Sequence, residues 1–387
     1  MSDHHATYHY VECPAALAAL VERMARANRI ALDTEADSLH SYYEKVCLIQ
    51  LSFEGETFVV DPLAGMNLSP LLALLTTKPL LMHGADYDLR MMRSSFQFRP
   101  RGEVHDTQVA AQLLGIQEFG LAALARRVLG TTLTKSAQKA DWSRRPLAPD
   151  LLAYAADDVR HLEPIAARLL DELRGLGRYE WYRASCERLV EASLRDRPRD
   201  PDEAWRIKGL RGLTRHQLAF VRELWLWREH EAQQADVPPF KVLGNAQLRD
   251  LALWASAHPS RPLGEGPRLP RNCTGRRLAA LEKAIAHARH LPKDQWPELR
   301  KSPLAPRQRD HEREKRVDAL MSEVASLAQR LGMAPSLLAS RATLEAVVAR
   351  QPRSPGEVLA CRHLLPWQAE LLMSTILKVL ATAPPKE

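Results

Sequence analysis

The stretch ALDTEADS, residues 31–38, sets three acids directly behind a short apolar run. Residues 29–32 read as a strand, and Asp33 and Glu35 follow at alternate positions. On a strand, side chains at i and i+2 point to one face. Two carboxylates side by side repel unless one is protonated or a cation lies between them. Oxygen-only ligands suit Mg²⁺ or Mn²⁺. The spacing alone is weak evidence, because about one chance D-x-E is expected in a chain of this size. Asp310-His311-Glu312 supplies the control: the same spacing, in a polar stretch with nothing apolar before it.

The surroundings of Asp33 read as an α/β pattern. Residues 46–53 (VCLIQLSF) and 57–60 are further strands, joined by a short loop at Glu54-Gly55-Glu56 that signals a hairpin. Residues 80–82 form a fourth apolar run, entering the helical segment HGADYDLRMMR. Helices are predicted over 107–114, 120–129 and, as one long element, 150 to about 176. Tyr154 and Asp158 in YAADD lie one turn apart on one face of that long helix. Asp88 lies in the first turns of its helix, where the helix dipole by itself favours an acid.

These residues together carry a resemblance. D-x-E on a first strand, a later aspartate and Y-x-x-x-D on a late helix resemble the signature of the DEDD 3′→5′ exonucleases. The tyrosine marks the branch that includes proofreading enzymes. Tyr154 begins the sole Y-x-x-x-D of the chain. KSAQKADWSRRPL (135–147), YAADDVRHL (154–162) and HDTQVAAQLL (105–114) are similar to segments of the bacterial ribonuclease D family. The helical stretch around VPPFKVLGNAQLRDLA resembles an HRDC domain.

The resemblance implies an α/β RNase H-like exonuclease domain, a mixed sheet flanked by helices, followed by two all-α HRDC-like domains. The bounds expected are 1–195, 210–292 and, for a second, degenerate HRDC-like unit, 310–387. It implies removal of 5′-mononucleotides from RNA 3′ ends, such as those of tRNA precursors, by hydrolysis with two divalent ions, Mg²⁺ or Mn²⁺. Asp33, Glu35 and Asp158 would hold one ion. Asp33 would bridge to a second, with Asp88 acting directly or through water. Tyr154, with an ordinary pKa of ~10, is a poor base, so it is assigned to positioning the attacking water. Metal should also stabilise a fold that gathers four carboxylates. Two rival readings stay open: a DNA exonuclease of the same superfamily, and an RNA-binding adaptor on an inactive nuclease fold.

Other residues have two readings each. Lys135 is a phosphate contact or a solvated loop lysine. Trp142 stacks a base or anchors its loop. Gln50 and His83 lie near the proposed site or simply pack, and His105 has no assigned role. His4, His5 and His9 read as a flexible terminus. Arg268, Arg271, Arg276 and Arg277 hold an RNA backbone or form a solvated face. Trp225, Trp227 and Trp254 read as core or interface.

Composition bounds the class. The chain has 387 residues, 45% hydrophobic and 26% charged, which suits a soluble protein of two or three domains. Its longest uncharged stretch, 62–77, is broken by prolines, a glycine and an asparagine, so no membrane span is expected. The start MSDHHATYHYVE has no secretory pattern. Five scattered cysteines without C-x-x-C argue against a zinc ribbon or disulfide framework and fit a reducing cytoplasm. The net charge of +7 comes from the second half, while the first is slightly acidic. That split suggests a cation site in one half and a polyanion surface in the other. A monomer is expected. Charged, Pro-containing linkers are placed at 195–203 and 291–313, and Thr214/Gln217 and Asn245 are read as helix caps.

Overall fold

A computed structural model of the chain describes residues 8–133, 137–195, 200–299 and 311–381. Lys135, His4, His5 and Asp310 lie outside these residues. The described residues fall into two compact units: those of 1–36, 46–195 and 306–387, and those of 37–45 and 196–305.

The first unit begins with β1 (His9–Val11) and α1 (Pro14–Arg26), then β2 (Ile30–Ala36), β3 (Val46–Phe53) and β4 (Glu56–Val60). There follow α2 (Ser69–Thr77), β5 (Leu80–Met82), α3 (Asp86–Phe96), β6 (Val104–Asp106), α4 (Thr107–Leu113) and α5 (Leu121–Leu129). Then come α6 (Pro149–Arg160), α7 (Leu162–Gly175) and α8 (Tyr179–Leu194). The six strands form one mixed sheet in the order β1-β4-β3-β2-β5-β6. β2 pairs antiparallel with β3 and parallel with β5. It is therefore an interior strand, which is why its apolar run is buried on both faces.

Two sequence expectations change here. His9 is not part of a loose terminus, because it opens β1, which pairs with β4. The long helix of 150–176 is two helices broken at His161. Pro164 explains the break: in one continuous helix its ring would meet the Arg160 carbonyl, and it has no N–H to offer that group.

β2 decides where the two helical layers meet the sheet. Ile30 and Leu32 join the core formed with α1, α2 and α3. Ala31 faces the other way, against Val159, Leu162 and Ala166 of α6 and α7. By alternation Asp33 and Glu35 continue the Ala31 face and Thr34 the Leu32 face.

The second unit holds α9 (Pro201–Ala204), α10 (Arg215–Gln234), α11 (Pro239–Val242), α12 (Asn245–Ala257) and α13 (Gly275–His290). Thr214 and Gln217 form the expected capping box. Asn245 does not cap. It is the first residue of α12, and its side-chain oxygen accepts from Arg228 at 2.7 Å. Trp225 and Trp227 are buried in this unit's core, with Trp254 packed against it. The segment 37–45 belongs to the same unit: Tyr42 packs on that core and donates to Glu229 at 3.1 Å. Asp37, the third acid of the opening stretch, is fully buried and organises this segment. It accepts from Ser41 at 2.7 Å and from the Lys45 backbone at 2.9 Å, and it pairs with the Lys45 ammonium.

The last helices, α14 (His311–Leu331), α15 (Pro335–Leu338), α16 (Arg341–Arg350), α17 (Pro355–Leu359) and α18 (Pro366–Ala381), share a core with α4, α5, α7 and α8 of the first unit. Trp181 stacks on Trp367 with centroids 4.9 Å apart. Arg178 donates to the Leu113 carbonyl at 2.7 Å and to the Leu331 carbonyl at 2.6 Å. Among the described residues no helix is long and apolar enough to cross a membrane.

The backbone approaches closely in this contact at Gly115. Its φ is +78°, and a Cβ there would stand 1.8 Å from the Gly332 carbonyl oxygen. Gly115→Ala is therefore expected to cost about 2 kcal/mol or more, from conformation and overlap together. Thermal or denaturant unfolding measures it; an unchanged midpoint would contradict this packing.

Candidate active site

β2 delivers Asp33 and Glu35 to the face covered by α6, and α6 returns Tyr154 and Asp158 to the same place. Asp33, Glu35 and Asp158 each present a carboxylate oxygen, and these oxygens lie within 4.8 Å of one another. Asp88 arrives from the opposite layer. Thr34, between the two acids but on the other face, donates to Asp88 at 2.6 Å. The site thus forms at the end of the central strand, where both layers converge. Asp33, Glu35 and Asp158 are half-buried and Asp88 is buried, so the first three open toward solvent.

Among the described residues no cation is paired with these acids. Burial, followed by the charges of Asp88, Asp158 and Glu35, raises Asp33 well above the usual carboxylate range. Burial, then Asp158 and Asp88, pushes Glu35 up to about 9. Burial pushes Asp88 and Asp158 up to about 7, against hydrogen bonding from Thr34 and Tyr154 respectively. Carboxylate oxygens are hard donors, and a cluster that raises its own proton affinity this far fits a hard divalent cation.

Tyr154 faces Asp158 one turn away. Burial, then the charges of Asp158, Glu35 and Asp33, raises the phenol above its ordinary value. Tyr154 therefore keeps its proton at neutral pH. A protonated phenol in this position is suited to orient a water molecule by hydrogen bond.

The supports of this site were less visible in the sequence. Asp106, fully buried at the start of α4, accepts from Gly84 and Ala85 at 3.1 and 2.8 Å and from Gln108 and Val109 at 2.7 and 3.3 Å. One carboxylate so anchors the entry to α3, which carries Asp88, and the first turn of α4. The chain can make this approach because Gly84 takes φ +71°, where a Cβ would meet Gln108 at 2.9 Å. In the sequence Asp106 stands out only through the resemblance of HDTQVAAQLL, because its partners at 84 and 85 are remote.

The other candidates sort by burial. Trp142 is fully buried beside Tyr154, which makes it a loop anchor and not a base platform. His83 shares a hydrogen bond with Thr107 at 2.9 Å. His105 is buried against Tyr182. Gln50 is the cross-strand partner of Asp33 and wholly buried, with no hydrogen-bond partner for its amide among the described residues. Arg276 and Arg277 both bind the buried Glu231, at 3.0 and 3.3 Å; Arg277 is largely covered by this contact, while Arg276 stays exposed. Arg268 and Arg271 are exposed.

The 3′-5′ exonuclease family profile matches residues 8–174, and the HRDC domain profile matches 217–260 and 313–380. A ribonuclease D of Zymomonas mobilis is 36% identical over 252 residues, which span 64% of this chain and 63% of that protein. A ribonuclease D of Nitrobacter hamburgensis is 30% identical over 369 residues, 93% of each chain. The chain belongs to the ribonuclease D family. Within that family, the crystal structure of Escherichia coli RNase D, an exoribonuclease involved in structured RNA processing, matches with a TM-score of 0.70 at 27% identity, covering 98% of this chain and 100% of that one. The chain is thus a 3′→5′ exoribonuclease: an exonuclease domain with a mixed sheet, then HRDC domains. The exonuclease family implies dependence on divalent metal, and the carboxylate cluster is where such an ion fits.

The raised carboxylates make a stability prediction for metal-free protein. A carboxyl whose folded pKa is raised contributes fully below its unfolded value and loses that contribution as pH rises through the folded value. Glu35 spans the window from its ordinary 4.5 to about 9. In EDTA, wild-type protein should lose stability relative to Glu35→Gln as pH rises from 5 to 9, and divalent metal should reverse the order. Melting temperatures of both proteins across that range check it; a constant difference would contradict the assignment.

Proposed function

We propose that Asp33, Glu35 and Asp158 hold one divalent ion and that Asp33 and Asp88 hold a second, Mg²⁺ or Mn²⁺ in each case. The proximity of the Asp33, Glu35 and Asp158 oxygens carries this reading. When bound, such a pair of ions stabilises the attacking and leaving oxygens of an in-line displacement and lowers the pKa of water. The residues of the chain do the rest. The four carboxylates, deprotonated in that state, fix the position of the scissile phosphate by fixing its counter-charges. Thr34 fixes Asp88 by its hydrogen bond. Tyr154 holds the attacking water through its hydroxyl, with Asp158 beside it. The product is a 5′-mononucleotide and an RNA shorter by one residue.

The substrate we assign is the 3′ end of structured RNA, tRNA precursors in particular. The kinship with ribonuclease D supports this, as does the basic second half of the chain. The segments 1–195, 210–292 and 310–387 act as the catalytic domain and two helical domains of a cytoplasmic monomer. Exposed Arg268 and Arg271 offer charge for the RNA backbone. Arg276 and Arg277 are less suited, being bound to Glu231.

The test is mononucleotide release from a tRNA with extra 3′ nucleotides, beside DNA of identical sequence, in Mg²⁺, Mn²⁺ and EDTA. RNA should be degraded with either metal and spared in EDTA. Asp33→Asn should lower turnover by about 10³-fold or more, a loss expected of a group acting directly on the reacting centre, with RNA binding retained. Preferential degradation of DNA would overturn the substrate class. Unchanged turnover in Asp33→Asn would overturn the site.

A further inference from the structure

The segment between α5 and α6 touches Tyr154 through Trp142. This indole is 1% exposed, and its ring lies 6.2 Å from the Tyr154 ring at an interplanar angle of 31°. Trp142 shares a core with Leu48 and Val59 of the sheet and with Leu152, Ala155 and Ala156 of α6. Its position therefore affects where α6 and Tyr154 sit above Asp33.

Arg145 holds this segment in place. A guanidinium has five N–H donors, and here each has an acceptor. Nε and Nη2 bind the two oxygens of Asp61 at 2.6 and 2.7 Å. Nη2 also reaches the Cys47 carbonyl at 2.9 Å. Nη1 reaches the carbonyls of Trp142 and Arg144 at 2.8 and 2.7 Å. No donor is left for a phosphate, so this arginine is not an RNA contact although it lies near the site.

Asp61 is equally committed. It is 3% exposed, just beyond β4, and accepts from the Leu63 N–H at 2.8 Å and the Tyr10 hydroxyl at 2.6 Å besides Arg145. Burial works against its charge, but Arg145 and Tyr10 outweigh burial and keep the carboxyl below its ordinary range. The edge strand β1, through Tyr10, and the end of β4, through Asp61, thus grip the Trp142 segment.

We infer that Tyr10, Asp61 and Arg145 form a clamp that positions Tyr154 for the reaction. Arg145 fixes the Trp142 backbone, and the Trp142 indole fixes the Tyr154 ring and with it the hydroxyl beside Asp158. All three are positioning residues, because none touches the reacting groups. The inference rests on the role given above to Tyr154. Lysine cannot replace Arg145, since an ammonium lacks the planar fork that spans Asp61 and three carbonyls.

The test compares kcat and KM on one 3′-labelled RNA for wild type, Arg145→Lys, Tyr154→Phe and the double variant. Arg145→Lys should lower kcat by about 10–100-fold, the scale of a small misplacement of a reacting geometry. KM should move by less than about threefold, and the metal midpoint should stay where it is. In the Tyr154→Phe background the same change should cost nothing further. Tyr10→Phe removes a single hydrogen bond, should fold, and should show a smaller kcat loss that also vanishes in that background. If Arg145→Lys does not fold, the Tyr10→Phe pair decides by the same comparison. Wild-type kcat in folded Arg145→Lys, or losses that multiply with a slow Tyr154→Phe, would overturn the clamp alone. Full kcat in Tyr154→Phe would overturn the role of Tyr154 and the clamp with it.

Discussion

The structure depends on one unfavourable interaction: four carboxyl groups gathered at the end of a single interior strand. Burial and mutual repulsion raise the proton affinity of each. A fold keeps such a cluster only when rigid elements force it and a cation relieves it. Both conditions shape this chain. β2 is interior, so its backbone is fixed by ladders on both sides, and its alternation turns Asp33 and Glu35 toward α6 and Thr34 toward Asp88 in the other layer.

Each acid then has its own support. Asp88 is held by Thr34 and, through the start of α3, by the buried Asp106. Asp158 rides on α6, which is packed on β2, β3 and β4 and covered by the Trp142 segment. These contacts join residues far apart in the chain, yet all converge within one turn of helix or one strand pair of the site. Rigidity of this kind is what in-line displacement asks of a protein that supplies few groups of its own to the chemistry.

How much the sequence revealed follows from the range of each interaction. The D-x-E spacing, the Asp88 helix start and the Tyr154–Asp158 turn are local patterns, and they were legible. β1 and β6 are only three residues long and exist through pairing with β4 and β5, so no periodicity announces them. The break at His161 has a local signal in Pro164. Asp61 and Arg145 are 84 positions apart, and nothing near either residue names the other. The amphipathic faces of α14 and α18 look alike whether they close their own domain or pack against α8. Contacts such as the Trp181–Trp367 stack, the Arg178–Leu331 hydrogen bond and the Gly115 approach distinguish the two.

The uneven charge of the two halves fits the proposed separation of roles. An acidic site repels a polyanion, so a nuclease of this kind needs metal at the scissile phosphate and positive charge elsewhere to hold the RNA. The chain's excess of basic residues accordingly lies beyond the catalytic domain. The central claim is the pair of ions shared by Asp33, and the most direct measurement is anomalous diffraction from crystals soaked in Mn²⁺. The account predicts two peaks about 3.5–4 Å apart, one among Asp33, Glu35 and Asp158 and the other between Asp33 and Asp88. A fully occupied single peak, or manganese bound away from Asp33, would contradict it.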